Sequence, residues 1–465
     1  MPPAGAMIYY DVTDLMAFCH RHTEVTGIQR AGTMTLGHFA EFSGHDSCRM
    51  IAHHVEKWRI VTAPIAHPVY RPFDAMLFLW HTDVRFIGAA ESDEELSRWT
   101  RWRKRKSTHE RLEILDRLLP LPRLGRRHGG ARVRRARWRA PDLGPDDVVY
   151  LPGGLWGRPD YMDDLERMQA ERGFRIVLFV HDLIPLVAGQ YLSDTETSRQ
   201  FDAWLRRMCR MATRFLTCSE ATRRDLEAFI AAADLPRVPI SVVPHAHELL
   251  LDPAAPASVR PLVREASRRP YALCVGTLEA RKNNAGLLAA WQRLVAERGE
   301  AAPRLIFAGK RGWRNEAFFE ALAASDRLGG RVEIVDNPSD HELAHLYANC
   351  LFSVFPSFYE GWGLPIGESL WYGRPVIASN TSAMPEVGGD VVDYVDPTSP
   401  ASFDRALALM LDAGHRARRE AAIAALPKRR WRDVAARVWS ELTEVAAGPR
   451  RADETTATRA NSYPT

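Results

Sequence analysis

The feature that most constrains the fold is an alternation of apolar runs, a glycine-rich loop and a helix signal between residues 351 and 379. The largely apolar run 351–355 predicts a buried parallel strand. After the loop we expect a helix that starts near Pro365, where the fixed φ and missing N–H of proline are tolerated, and ends at Gly373. Residues 375–379 predict the next strand. Together they form a βαβ unit, whose helix N-terminus favours an anion above the sheet.

Two carboxylates, Glu360 and Glu368, lie on either side of the start of that helix. A bound phosphate repels carboxylates, so we expect this pair to face neutral hydroxyl groups, such as those of a ribose and of a sugar ring. The alternative is an acidic pair on the surface, because negative charge is favoured at any helix start. The spacing of two glutamates does not by itself decide between these interpretations.

The glutamate pair, the segment GWGLP at 361–365 and the flanking strands together closely resemble the E-x7-E signature of the retaining GT-B glycosyltransferases of family 4, the glycosyl transferases group 1. The resemblance covers residues 145–445 well and residues 1–90 loosely, and it extends to bacterial surface-polysaccharide mannosyltransferases. It implies an α/β chain of the GT-B class, in which two Rossmann-like, doubly wound domains face each other across a cleft and the nucleotide binds to the second domain.

The length of 465 residues exceeds one core and predicts two domains. Residues 51–60 and 75–80 are expected to supply further strands of the first. We expect a Rossmann-like acceptor-side domain at 1–250, a linker at 251–269, a Rossmann-like nucleotide-sugar-binding domain at 270–430, a closing helix at 431–446 that crosses back to the first domain, and a disordered tail at 447–465.

The cysteine pattern and the N-terminal sequence predict that the chain functions in a reducing compartment. None of the six cysteines forms a CxxC pair, so neither a disulfide framework nor a zinc site is expected. The N-terminus lacks the charged and apolar regions of a secretion signal, and no apolar run approaches the ~18 residues of a membrane span. We therefore expect a cytoplasmic protein, either free or peripheral on the inner face of the cytoplasmic membrane.

Residues 98–139 differ sharply in charge from the rest of the chain. They contain 16 Arg or Lys and three acids, a net charge of +13 over 42 residues, whereas the whole chain carries +4. Tryptophans are interleaved with the basic residues, which suits an anionic membrane surface. A solvated insertion without a partner is the main alternative. Nucleic acid is less favoured, because no recognition motif accompanies the charge and the remainder of the chain is acidic.

Two cations, Arg281 and Lys282, follow the predicted strand 271–275 and the residues Gly276 and Thr277. Surface cations commonly have no specific role, but adjacent cations after a parallel strand are well placed to neutralise a diphosphate. The resemblance assigns that role to Lys282. This chain has Thr277 where many family members have arginine, and Arg281 is expected to take its place.

His181 and Asp182 follow the predicted strand 175–180, at the sheet edge where ligands of open α/β sheets bind. A lone histidine at such a position is more often structural, but the resemblance implies that His181 reaches the transferred sugar. Gly27 lies in the loop after the first strand, with Arg30 one turn later. The resemblance implies that this loop approaches the donor phosphates and the acceptor, although the paired glycines of the family are missing.

The reaction implied by the resemblance is transfer of a hexose or deoxyhexose from a nucleotide sugar to an acceptor hydroxyl, with retention at the anomeric carbon. Glu360 would hold hydroxyls of the donor sugar and Glu368 those of the ribose. Arg281 and Lys282 would take up the charge that develops on the leaving diphosphate. Further donor-binding residues expected on the same grounds are Gly363, Leu364, Pro365, Gly276, Thr277, Gly27 and, beside the base, Asn337.

No Asp-x-Asp pair follows a predicted strand, so we expect neither a metal nor another cofactor beyond the nucleotide-sugar substrate. The resemblance favours a GDP-sugar, with GDP-mannose first and GDP-fucose, dTDP-rhamnose and UDP-glucose as alternatives. The acceptor is expected to be a glycan or a lipid-linked oligosaccharide in surface polysaccharide synthesis. Other classes are a non-catalytic GT-B scaffold, a binder of anionic surfaces or nucleic acid through residues 98–139, and a phosphorylase, for which no pyridoxal phosphate motif is present.

Overall fold

The structure is a computed structural model that describes residues 2–3, 5–21, 27–43, 47–54, 59–64, 78, 126–128, 131–133, 139–192, 194–249, 251 and 258–448. Most of the basic segment 98–139 and the tail after residue 448 lie outside the described residues. Within the basic segment, β4 (Arg126–His128) and β5 (Ala131–Val133) form an antiparallel pair. The membrane-surface hypothesis for this segment stays a prediction.

The first sheet has seven strands in the order β3-β2-β1-β6-β7-β8-β9. All neighbours are parallel except β2 and β3 at one edge. The strands are β1 (Ile8–Asp11), β2 (Cys48–His54), β3 (Arg59–Pro64), β6 (Val148–Leu151), β7 (Arg175–Val180), β8 (Arg214–Thr217) and β9 (Ile240–Val242). The helices are α1 (Thr13–Arg21), α2 (Gly27–Ser43), α3 (Pro159–Arg172), α4 (Ile184–Val187), α5 (Thr195–Met211) and α6 (Glu220–Ala232), with short 3₁₀ turns at Leu155–Gly157 and Gly189–Tyr191.

The second sheet has six parallel strands in the order β12-β11-β10-β13-β14-β15. Its strands are β10 (Tyr271–Val275), β11 (Arg304–Ala308), β12 (Val332–Val335), β13 (Phe352–Phe355), β14 (Val376–Ser379) and β15 (Asp393–Val395). Its helices are α7 (Pro261–Ala266), α8 (Asn284–Arg298), α9 (Glu316–Ala324), α10 (Asp326–Gly330), α11 (Asp340–Asn349), α12 (Leu364–Trp371), α13 (Met384–Gly388), α14 (Pro400–Leu411) and α15 (Ala413–Ala425). Short 3₁₀ turns lie at Ala280–Lys282, Gly299–Ala301 and Gly389–Val391.

The prediction of two doubly wound, Rossmann-like domains is confirmed. In each sheet the strand order reverses at a central pair, between β1 and β6 and between β10 and β13, and the crevice at such a point binds ligands in this class of fold. The range 51–60, expected to supply strand structure, overlaps β2 and β3, which pair antiparallel; of the other expected strand range, 75–80, all but residue 78 lies outside the described residues. The range expected to be a linker contains helix α7.

Local sequence explains why the elements around the cleft begin and end where they do. Every residue of β7, β10 and β13 is buried, as near-continuous apolar parallel strands should be. Ser219 caps α6 by accepting a hydrogen bond from Thr222 N–H. Ser339 and Glu342 form a capping box at the start of α11. These caps fix the helix ends that face the cleft.

The last helix, α16 (Trp431–Ala447), packs on α2 of the first domain, where the rings of Phe39 and Trp439 meet edge to face at 5.3 Å. Glu441 of α16 pairs with Arg214 at the start of β8 at 2.6 Å. One buried apolar cluster runs from Tyr10 and Phe39 through α16 to α12 of the second domain. The two domains therefore share a core at the base of the cleft.

Within the described residues, no helix is both long enough and apolar enough to cross a membrane. The six cysteines all lie in the described residues, where they are buried and form no disulfide bond.

Candidate active site

The site lies where the strand ends of the two sheets face each other. Gly276 follows β10, and the loop 356–363 follows β13 on the other side of the second sheet's reversal point. From the first sheet, His181 follows β7. Gly361 meets it so closely that a Cβ built on Gly361 would lie 2.1 Å from the His181 carbonyl oxygen. Only glycine fits this contact between the domains.

Glu360 lies at the centre of a charged cluster with both predicted cations. Its Oε1 is 2.6 Å from Lys282 Nζ and 2.8 Å from Arg281 Nη1. Arg281 also pairs with Glu279 at 2.5 Å and donates to the Tyr359 carbonyl oxygen. The structure thus brings together three residues that the sequence analysis singled out.

The environment keeps the Glu360 carboxylate ionised. Its side chain is only 10% exposed, and burial by itself would favour the neutral acid. Arg281 and Lys282 outweigh burial and lower the pKa of Glu360 to about 2. The backbone N–H of Glu360 donates to Ser382 Oγ at 2.9 Å, which fixes the loop that carries the carboxylate. At neutral pH this group can only accept hydrogen bonds, as a residue that binds sugar hydroxyls must.

Glu368 has a different set of partners. Tyr347 OH donates to its Oε2 at 2.9 Å, and Arg30 Nη1 of the first domain lies 3.5 Å from its Oε1. Arg30 Nη2 is 2.5 Å from Asp340 Oδ1. Burial outweighs Arg30 and Tyr347 and raises the pKa of Glu368. The two glutamates of the pair therefore have pKa values moved in opposite directions.

The start of α12 lies between the two glutamates in the chain, and its predicted role in anion binding stays a prediction. Gly363 precedes the helix with φ of 113°, a conformation that favours glycine, and Leu364 and Pro365 occupy the first turn. The first turn contains no acid. The helix starts at Leu364, one residue before the predicted position.

Gly276 and Lys282 are in contact, since a Cβ built on Gly276 would lie 3.6 Å from Lys282 Cε. Lys282 Nζ also lies 4.8 Å from the centre of the Phe355 ring. Thr277 is next to Gly276 and half-buried. Asn337, with positive φ, is exposed just after β12. Its role beside the base stays a prediction.

Both ring nitrogens of His181 have a hydrogen-bond partner. Nε2 is 2.7 Å from the Pro152 carbonyl oxygen, and Nδ1 is 3.2 Å from His245 Nε2. The ring stacks on Phe179 at 4.6 Å. Burial lowers the pKa of His181 to about 4 and that of His245 well below its ordinary range. His181 is therefore neutral at pH 7, and in this arrangement neither ring nitrogen is left over for a sugar hydroxyl; its catalytic role stays a prediction.

The remaining two first-domain residues differ in placement. Asp182 accepts a hydrogen bond from Ile184 N–H at 3.0 Å. Burial raises the pKa of Asp182, and Arg281 of the charged cluster, which it faces, opposes this shift. Gly27 begins α2 with φ of 55° and is exposed. Its approach to donor phosphates stays a prediction.

Several contacts close the cleft around this cluster. The Glu386 carboxylate accepts from the backbone N–H groups of Glu220 and Ala221 at 2.7 and 2.8 Å, and so caps α6 from the opposite domain. Tyr359 OH donates to Asp225. The structure therefore shows the two domains in direct contact.

Sequence reasoning did not assign roles to Arg30, Tyr347, His245 or Ser382, although each contacts a predicted site residue. For Arg30 the signal was its position one turn after Gly27. For the others no local pattern distinguished them. Over the parts of the chain that the structure describes, no group of three or more His, Cys, Asp or Glu residues could hold a metal ion.

Residues 260–426 match the family described as Glycosyl transferases group 1. The chain is 40% identical over 147 residues to the O-antigen chain mannosyltransferase B of Escherichia coli, which covers 31% of this chain and 38% of that protein. It is 28% identical over 277 residues to the serotype-specific mannosyltransferase WbdA of Escherichia coli, which covers 57% of this chain and 34% of that protein. The matched segments thus span little more than a third of either relative.

Among solved structures, the chain is similar to one described as "Trehalose-6-phosphate from E. coli bound with UDP-2-fluoro glucose", with a TM-score of 0.56 and 13% identity. The match covers 94% of this chain and 99% of the other, and at this identity it shows the fold alone. The chain has the GT-B fold predicted from its sequence, and its residues 260–426 are similar to the glycosyl transferases group 1.

Proposed function

We propose that the protein is a retaining glycosyltransferase that moves mannose from GDP-mannose to a hydroxyl group of a glycan or lipid-linked glycan in surface polysaccharide synthesis. The observation that carries the proposal is the cluster of Glu360, Arg281 and Lys282 at the strand ends of a closed cleft between two Rossmann-like domains. The two relatives described as mannosyltransferases support the choice of sugar.

In this proposal different residues bind different parts of the donor. Arg281, Lys282 and the N–H groups at the start of α12 hold the diphosphate, because they concentrate positive charge in a buried site. Glu360 accepts hydrogen bonds from hydroxyls of the mannose, and Glu368 from hydroxyls of the ribose. The diphosphate has to share the two cations with Glu360, which pairs with both of them.

The proposed reaction needs no nucleophile from the protein. The bond between the anomeric carbon and the β-phosphate oxygen breaks, and the acceptor oxygen bonds to the same face of that carbon. The acceptor proton passes to the departing phosphate, so GDP leaves with the bonding electron pair. The cations stabilise the negative charge that develops on the leaving group, and the reaction needs no metal for this purpose.

The test is to incubate the full chain with GDP-mannose, GDP-fucose, dTDP-rhamnose and UDP-glucose and to measure nucleotide release with and without lipid-linked acceptors. Release of GDP from GDP-mannose, with an α-linked product by NMR, supports the proposal. Lys282→Met should abolish turnover, whereas Arg405→Met, which removes an exposed cation on α14, should not. Turnover of another donor would overturn the choice of mannose. Absence of binding to every nucleotide would favour the non-catalytic scaffold.

We further propose that the basic segment 98–139 brings the protein to the anionic cytoplasmic face of the membrane, where a lipid-linked acceptor is located. The support is its net charge of +13 with interleaved tryptophans. Sedimentation with anionic vesicles at low salt, lost on deletion of 98–139 and absent with neutral vesicles, is the expected result. Equal sedimentation of the deletion variant would contradict this part of the proposal.

A further inference from the structure

The residue that the proposed function leaves unexplained is Arg30. It projects from α2 of the first domain into the second, where its side chain is 9% exposed. Its Nη2 is 2.5 Å from Asp340 Oδ1, and its Nη1 is 3.5 Å from Glu368 Oε1. A guanidinium that is buried between two carboxylates of another domain is costly to desolvate, so its placement calls for a reason other than stability.

We propose that Arg30 is a positioning residue that completes the nucleotide site: it holds the Glu368 carboxylate ready for the ribose, so tight nucleotide binding requires the first domain to be closed on the second. The inference rests on the proposed function, in which Glu368 accepts hydrogen bonds from the ribose. It adds a residue of the opposite domain to that site.

The distances favour positioning over blocking. At 3.5 Å the contact between Arg30 and Glu368 is too long for a strong hydrogen bond, so the guanidinium attracts the carboxylate without using a lone pair of Oε1. Tyr347 OH uses one lone pair of Oε2. A carboxylate offers about four acceptor sites, which leaves enough for the two hydroxyls of a ribose.

The charges in the site make Arg30 necessary. Asp340 and Glu368 are both negative, and Arg30 is the cation that lies between them. Asp340 is 40% exposed and is solvated by water, whereas Glu368 is 8% exposed. Without Arg30, a buried carboxylate would face a second carboxylate and would take up a proton more readily. A protonated Glu368 accepts hydrogen bonds from ribose hydroxyls less well.

The other titratable groups that face Glu368 are Asp340, Tyr347 and Tyr372. Asp340 favours the protonated form of Glu368, and the hydrogen bond from Tyr347 favours the ionised form. Tyr372 stacks on Tyr347 at 5.9 Å and has a pKa raised by burial, so it stays neutral. His247 packs its backbone against the same helix, and its ring is bonded elsewhere. Arg30 is thus the cation that acts on Glu368 in the part of the chain that the structure describes.

The experiment is calorimetric titration of the full chain with GDP, UDP and dTDP from about pH 8 to about pH 6. The nucleotide that binds to wild type is then titrated into Arg30→Gln, Arg30→Lys, Glu368→Gln and Arg314→Gln. The last variant is the matched control, because Arg314 Nη1 donates to the Leu192 carbonyl oxygen across the same cleft at 2.9 Å without approaching Glu368. Protonation of the nucleotide itself is common to all variants and cancels in the ratio to wild type.

Arg30→Gln is expected to weaken nucleotide binding by about ten-fold, within the usual range of coupling between two sites, and to weaken it further as the pH falls. Arg30→Lys keeps the positive charge and should recover much of the affinity and the flat pH profile. Glu368→Gln should bind weakly at every pH, and Arg314→Gln should follow wild type.

Three results overturn the inference in distinguishable ways. If Glu368→Gln binds weakly but Arg30→Gln matches wild type in affinity and pH profile, Arg30 has no part in the site while the proposed function stands. If no nucleotide binds to wild type, or if Glu368→Gln matches it, the ribose role of Glu368 fails and the inference fails with it. Loss of affinity in Arg30→Gln without any pH dependence would indicate a merely structural role.

Discussion

Replacement of Glu360 by glutamine tests the central cluster most directly. The substitution keeps the shape of the side chain and removes its charge, so Arg281 and Lys282 lose their shared partner. The pKa of Glu360 lies at about 2, against an ordinary value of 4.5. This difference corresponds to about 3 kcal/mol of stability, at roughly 1.4 kcal/mol for each factor of ten in the ionisation constant.

The sign of the pH dependence follows from the direction of that pKa. A carboxyl group whose pKa is lowered by folding stabilises the folded protein above its unfolded pKa of 4.5, and the contribution is lost as the pH falls from there towards about 2. Glutamine contributes nothing at any pH. Wild type and Glu360→Gln should therefore differ by about 3 kcal/mol at pH 7, and the difference should shrink below about pH 4.5.

The assay is urea unfolding followed by tryptophan fluorescence at pH 7 and at a series of lower pH values. The slope of stability against urea is roughly 1–3 kcal/mol per molar for small proteins and grows with size, so for this chain of 465 residues the midpoint of the variant should be lower by about 1 M or less. The same variant should bind GDP more tightly than wild type, because the diphosphate no longer competes with Glu360 for the two cations, and it should transfer sugar more slowly. Equal midpoints, combined with weaker GDP binding, would refute the idea that Glu360 and the diphosphate share these cations.

Three further predictions concern closure, pH and metals. Gly361→Ala should reduce sugar transfer severely, because the added Cβ would lie 2.1 Å from the His181 carbonyl oxygen and hold the domains apart. The secondary structure measured by circular dichroism should be kept. Unchanged transfer would show that domain closure is not needed. Burial in the folded protein lowers the pKa of His181 to about 4 and that of His245 well below its ordinary value of 6.5, so the stability of the fold is greatest above pH 6.5 and falls as the pH drops towards 4. His245→Phe should flatten this decline in thermal denaturation, and an unaltered slope would contradict the assignment of a neutral pair. Transfer activity should survive prolonged treatment with EDTA, whereas its loss and recovery with Mg²⁺ would show that the cations do not replace a metal.

The sequence predicted the parts of the site that are encoded locally. The strand β13, the loop and the helix α12 lie within 30 residues of one another, so apolar periodicity and the glycine and proline positions sufficed to place Glu360 and Glu368. The strands β7, β10 and β11 were recognisable for the same reason. Local patterns thus located the second domain's half of the site.

The contacts that could not be predicted are those between distant segments. Arg30 and Asp340 are 310 residues apart, and no pattern near either residue indicates that they meet. The pairing of His181 with His245 depends in the same way on how β7 and the segment after β9 pack. Strands were expected in this region, but the antiparallel pairing of β3 with β2 at the sheet edge was not predicted. Such features arise from tertiary packing and not from periodicity.

The crossing helix α16 has a consequence for anyone who recombines these domains. It follows the second domain in the chain but packs on the first domain. Its Glu441 forms an ion pair with Arg214, and its Trp439 ring contacts Phe39. Trp431 at its start donates two hydrogen bonds to Glu248, one from its backbone N–H and one from Nε1, both at 3.0 Å. A chimera built to change the donor should therefore exchange residues 258–426 as an internal cassette and retain α16 with its own first domain. Cutting once, between the two sheets, would remove α16 from the first domain and leave the apolar faces of both the first domain and the helix exposed.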